Sequence, residues 1–213
     1  LKPCQSLLKL TRMKQPDLEK IVGINNRKYC GGGQCIRLFR NFVKNKEQKT
    51  ADIVMGHNEE DLLGLGRIFE LLAYNRIYDG DYRPIQCTLM EQELKITLEL
   101  LTPVPANISC GTEEFYMTVN EHEAKLLVHL REGKLRQYYR NYRDYEYIPG
   151  EDTAMPKSIA RYMDRSLRVA ATPRTCYTWF RCDEDFLQNE KKQMQYLTHT
   201  LPAFLDSLNK VNK

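Results

Sequence analysis

His57 and Asp61 stand four residues apart in a Leu-rich stretch, a spacing that puts both side chains on one helical face, one turn apart. A carboxylate there is a hard oxygen ligand for Mg2+ or Mn2+, and an imidazole one turn away is placed to take a proton from an activated water. Together they suit phosphodiester hydrolysis. The same pair also suits a polar first turn of a helix, where acidic residues are favoured by the helix dipole.

A second set of residues could bind rather than react. Between Lys125 and Tyr147 lie six basic residues, including Arg136, Arg140 and Arg143, interleaved with five tyrosines, including Tyr139 and Tyr142. Basic side chains neutralise phosphates and aromatic faces stack on unpaired bases, so this is the composition of a single-strand path. It is equally the composition of a half-buried, Tyr-rich surface. Lys9, Arg12, Lys14, Lys20, Arg27 and Lys28 form a second candidate path. Charge is unevenly spread: residues 1–50 carry 12 basic and 3 acidic side chains, and residues 51–100 carry 4 and 10. That split predicts a polyanion-facing segment beside a cation-attracting one.

The elements that must position these residues follow from periodicity. Residues 6–22 read as helical, with Pro16 opening a second helix and Gly23 ending it. Gly31-Gly32-Gly33 reads as a tight turn needing positive φ, since no Lys-Ser or Lys-Thr follows to make a phosphate loop. A helix is predicted over 34–46. Ala51–Met55 is a short apolar stretch, and the helix carrying His57 and Asp61 starts after it and runs through Leu62, Leu63, Leu65, Ile68, Phe69, Leu71 and Leu72. Residues 75–83 are turn-rich. From Ile85 the period becomes two, which predicts strands over 85–101, 115–119 and 125–130. Residues 158–169 read as helix, 175–180 as a last strand and 189–208 as a terminal helix. Trp179 and Phe180 read as core or interface residues.

All 213 residues together bury a real core, and no apolar run is long enough to span a membrane. The seven cysteines are too scattered for a disulfide framework, and free thiols of a cytoplasmic protein are expected. Cys30-x4-Cys35 and Cys176-x5-Cys182 lack the C-x2-C spacing of zinc modules. His122, His129 and His199 have no acidic or cysteine partner at ligand spacing in the sequence.

Residues 52–68, with His57-Asn58-x2-Asp61 before a Leu-rich helix, resemble the third motif of YprB-type ribonuclease-H-like exonucleases, within the DnaQ-like or DEDD superfamily. Upstream, Lys14-Gln15-x3-Glu19, Gly23-Ile24, Arg27 and the three glycines are similar to one bacterial branch. Downstream, Gly133-Lys134-Leu135, Tyr139, Asn141-Tyr142-x2-Tyr145, Glu151-Asp152, Lys157-Ser158 and Ala171-Thr172-x3-Cys176-Tyr177 are also similar to it. Met155-Pro156 stand where that branch has His before Lys-Ser. The resemblance implies a metal-dependent 3′–5′ exonuclease fold, a sheet flanked by helices, in which four acids hold two Mg2+ or Mn2+ ions and a His or Tyr acts as base. Asp61 matches the last metal ligand and His57 the base; the motif before the acid there is an apolar strand end. The family's opening strand with Asp-x-Glu is not found in residues 1–56, where the one Asp-x-Glu, Asp17-Leu18-Glu19, follows Pro16 in a predicted helix.

The expected architecture is therefore α/β to α+β. Residues 1–82 form the C-terminal part of a ribonuclease-H-like domain, 83–182 a β-rich accessory domain and 183–213 a terminal helix. The expected partners are single-stranded DNA or RNA and the missing N-terminal half of the nuclease domain, with no membrane. The chain alone is expected to be inactive, and a non-catalytic nucleic-acid-binding or scaffold module is the alternative.

Overall fold

The computed structural model describes residues 5, 7–29 and 31–211. Four helices come first: α1 (Gln15–Ile21), α2 (Gly32–Asn45), α3 (Gln48–Ile68) and α4 (Ala73–Asp79), with a 3-10 turn at Phe69–Leu72 joining the last two. Gly80, at φ +82°, closes α4 in the left-handed conformation that glycine adopts without a Cβ penalty. Strands follow at once: β1 (Tyr82–Met90), β2 (Glu93–Leu100), β3 (Ile108–Gly111), β4 (Phe115–Asn120) and β5 (Glu123–His129). They form one antiparallel sheet in the order β1-β2-β5-β4-β3. Two smaller antiparallel sheets come from β6 (Lys134–Tyr138), β7 (Tyr145–Ile148), β8 (Thr153–Pro156), β9 (Val169–Ala170) and β10 (Tyr177–Arg181). Helices α5 (Lys157–Ala160), α6 (Glu184–Gln188) and α7 (Glu190–Val211) complete the chain.

Alternation in the sequence explains the large sheet. Leu94, Ile96 and Leu98 on β2 face Val128, Leu126 and Ala124 on β5, and the same β5 residues face Phe115, Met117 and Val119 on β4. All of these side chains are buried. Helix α7 covers the layer: Phe204 stacks on Phe115 with ring centroids 4.6 Å apart, and Tyr196, Leu197, Leu201, Leu205 and Leu208 are buried beside it. The same hydrophobic cluster takes in Leu18, Ile68, Leu71, Tyr74 and Ile77 from the helical part.

Several expectations need correcting. The helix of His57 and Asp61 does not begin after Met55. It runs unbroken from Gln48, because nothing between Ala51 and Met55 breaks a helix, so the pair sits in mid-helix and not in a first turn. Gly31 has φ −67°, and Gly32 and Gly33 are the first residues of α2, so no left-handed turn is present there. The first helix is confined to Gln15–Ile21, with turns before it, and Ser6 lies outside the described residues. Residues 73–79 are helix and not turn. The span 158–169 holds only the single turn of α5, a 3-10 turn capped by Asp164, and the start of β9. The fold is α+β: every sheet is antiparallel, and among the described residues before Tyr82 there is no strand.

Helical periodicity identified the elements but not their cover. Ile36, Phe39 and Val43 on α2, and Leu62, Leu63 and Leu65 on α3, are exposed.

Candidate functional site

One face of α3 carries Gly56, His57, Glu60, Asp61 and Gly64, and the segment from Gln15 to Tyr29 is laid across it. Glu19, on the inner side of α1 beside Leu18, has a side chain only 2% exposed. A buried carboxylate needs a cation or several donors. Arg27 supplies the cation: its Nε donates to Glu19 Oε2 at 2.8 Å and its Nη2 to Oε1 at 2.6 Å. Gln15 Nε2 adds a bond to Glu19 Oε1 at 3.0 Å and one to the Asp61 carbonyl at 2.8 Å. The remaining guanidinium arm, Nη1, donates to Asp61 Oδ1 at 2.5 Å. Next along the segment, the backbone N–H groups of Lys28 and Tyr29 donate to the Glu60 carboxylate at 2.7 and 3.2 Å. The Tyr29 ring lies over Gly56, where a Cβ would come within 2.2 Å of it.

His57 Nε2 faces Asp61 Oδ2 at 3.4 Å, and His57 is itself buried. Its Nδ1 is sealed from solvent without a hydrogen-bond partner among the described residues. Spacing therefore gave the right pairing of His57 with Asp61, but it did not reveal that Arg27 holds the acid. Glu19 was part of the resemblance without a role; an acid beside Leu18, Ile21 and Val22 on a short helix was the available signal.

The Arg27 hydrogen bonds, against the opposing effect of burial, hold the Glu19 carboxyl below its ordinary value of 4.5. A depressed carboxylate stabilises the fold above its ordinary value and loses that contribution as pH falls through the lowered one. Melting temperature is thus expected to fall as pH drops from about 6 to 3, and Glu19→Gln to show a shallower fall over that window. Equal slopes in thermal melts of the two proteins would contradict this role for Glu19.

The downstream residues gather elsewhere. Arg136, Tyr139, Arg140 and Tyr142 line one cavity of about 740 Å³ between β6, the end of β5 and α7. The Arg136 guanidinium packs against both Tyr177 and Trp179, with Cζ 4.3 and 4.7 Å from the ring centroids. Tyr139 stacks on Tyr145 at 5.2 Å. Arg143 is not in the lining; it sits 6.0 Å from the Tyr142 ring. Lys14 is exposed at the N-cap of α1, Lys28 is exposed beside Glu60, and Arg27 is consumed by Glu19 and Asp61. Trp179 is only partly buried and belongs to the cavity wall. Among the other histidines, His129 Nδ1 meets Glu93 across the β2–β5 pair at 3.2 Å, a partner that linear spacing could not show. Burial pushes the thiols of Cys176 and Cys182 up to about 11, and Cys30 lies outside the described residues.

Residues 1–73 match the family model of the RNase H superfamily. No curated protein and no solved structure matches the chain. The match contains the whole Gln15–Glu19–Arg27–His57–Asp61 cluster, and it supports a ribonuclease-H-like fold of nucleic-acid-processing type for this part. Enzymes of that superfamily generally use divalent metals. The residues in hand do not fit such a group unaided. Asp61 Oδ1 is taken by Arg27, both Glu19 oxygens are taken by the same guanidinium, and among the described residues no three His, Cys, Asp or Glu side chains come together to hold an ion. No helix of the described residues is long and apolar enough to cross a membrane.

Proposed function

We propose that this chain is part of a metal-dependent 3′–5′ exonuclease acting on single-stranded nucleic acid, and that residues 1–213 by themselves do not cleave. The supporting observation is the His57–Asp61 pair, 3.4 Å apart on one helical face inside the stretch that matches the RNase H superfamily. In this reading Asp61 is one acid of a metal-binding set whose other members come from another polypeptide segment, and His57 is the base. The Arg27 clamp holds the Asp61 carboxylate in one orientation in their absence.

The same clamp favours a second reading, a non-catalytic nucleic-acid-binding or scaffold module, because it gives Asp61 a complete structural role. Mn2+ separates the two. Ligand binding to the native state raises the melting temperature by mass action. A Mn2+-induced rise that disappears in Asp61→Ala supports the metal-site reading, and no rise supports the binding module. Incubation of the chain with Mn2+ and end-labelled single strands is expected to leave the strands intact. Cleavage that Asp61→Ala abolishes would overturn the inactivity of the isolated chain.

A further inference from the structure

The cavity beside β6 has features that the exonuclease reading does not use. Three arginines, Arg131, Arg140 and Arg174, stand at its rim, exposed and with no ion pair among the described residues. They come from three separate segments. Trp179 and Tyr142 line its walls, with the Arg136 guanidinium over the Trp179 ring. On its inner side Arg136, paired with Asp152 at 3.6 Å, lies over Trp179 with a buried Nε that has no hydrogen-bond partner among the described residues. Glu114, whose carboxylate accepts from the Tyr138 hydroxyl at 2.9 and 3.0 Å and pairs with Arg136 Nη1 at 3.7 Å, is the acceptor group there. A volume of about 740 Å³ lies within the usual range of small-molecule sites.

We propose that this cavity binds one nucleotide with its base unstacked. The base lies against Trp179 and Tyr142, the 5′-phosphate lies among Arg131, Arg140 and Arg174, and Glu114 accepts from an exocyclic amino group. The chemistry fits each part: aromatic faces stack on any base, guanidinium forks grip phosphate bidentately, and a carboxylate takes the amino donors of a base edge. This inference rests on the reading that the chain handles nucleic acid. It adds a specific nucleotide-sized site, remote in sequence from His57 and Asp61. The nucleotide comes either from a strand or from free solution, and the test tells these apart.

Trp179 is the only tryptophan of the chain, so its emission reports directly on the cavity. The probes are 5′-AMP, inorganic phosphate, and a fluorescein-labelled strand of about ten nucleotides, a length that spans a typical single-strand site. Binding of the strand anywhere on the protein is followed separately by anisotropy. The expected result is saturable quenching of Trp179 by 5′-AMP or by the strand, none by phosphate alone, and affinity weakened about tenfold by Arg140→Ala or Arg174→Ala. Both arginines are exposed and unpaired, so these variants keep the fold. Quenching by 5′-AMP with no strand binding supports the pocket as a free-nucleotide site and removes the nucleic-acid reading. Strand binding without quenching, and untouched by either arginine variant, overturns the pocket and leaves the nucleic-acid reading standing. No quenching and no binding by any probe overturns both.

Discussion

Arg27→Ala is expected to lower stability by about 3–5 kcal/mol, because removing one partner of a buried ion pair strands the other in a poorly solvated place. For a chain of this size that is a fall of roughly 10 °C in melting temperature. The stranded group is Glu19, whose side chain is 2% exposed. Without the guanidinium its carboxyl is pushed up instead of down, so the sign of the pH dependence inverts. The wild-type contribution is lost as pH falls through the lowered Glu19 value, whereas the variant loses stability as pH rises and forces the buried acid to ionise. Adding Glu19→Gln to Arg27→Ala is expected to recover a large part of the loss, since the double variant buries no lone charge. Thermal melts of the four proteins across acid and neutral pH measure this. Additive losses, or parallel pH profiles for wild type and Arg27→Ala, would show that the pair is not coupled.

Gly64→Ala is expected to destabilise by about 2–4 kcal/mol, against the intrinsic helix preference for Ala. A Cβ at Gly64 would stand 2.0 Å from Glu19 Oε1 and 3.2 Å from Gln15 Nε2. That carboxylate cannot swing away without breaking its bonds to Arg27. Gly66, two residues on in the same helix, has nothing within 4 Å of the equivalent position. Gly66→Ala is therefore expected to stabilise by about 1 kcal/mol through propensity alone. Chemical denaturation of both variants is the check: opposite signs are expected, and a stabilised Gly64→Ala would mean that α1 does not press on α3 as described.

Those two glycines show how much of the site was legible. The Leu-rich period found α3, but Ile53 and Val54 made its first third look extended, since β-branched residues favour strands. Tertiary packing decides such a segment, and nothing in it stops the helix. Strict alternation gave β2, β4 and β5, because one face of each is buried and a slip of one residue would turn every Leu outward. The opposite failure occurs at 158–169, where a helical-looking span lacks the capping and apolar face to hold more than one turn. For the site, the one-turn spacing of His57 and Asp61 was readable because it is local. The role of Arg27 was not, because it depends on Glu19 being buried, which only the crossing of α1 over α3 brings about. Arg136, Tyr139, Arg140 and Tyr142 were readable as a group along one segment, whereas Arg174 and Glu114 join them only through the pairing of β6 with β10 and the packing of α7.

The position of α7 also governs how the chain is made. The apolar face of the large sheet is covered by a helix that leaves the ribosome after every strand of that sheet, with Phe204 reaching Phe115 across 88 intervening positions. At ordinary translation rates the strands through β5 are complete roughly 5–15 s before that helix is. During this interval Met117, Val119, Leu126 and Val128 lack the cover of that helix, and the nascent sheet is a substrate for chaperones or for a wrong partner. A message that stops before residue 190 would yield a protein arrested in that state.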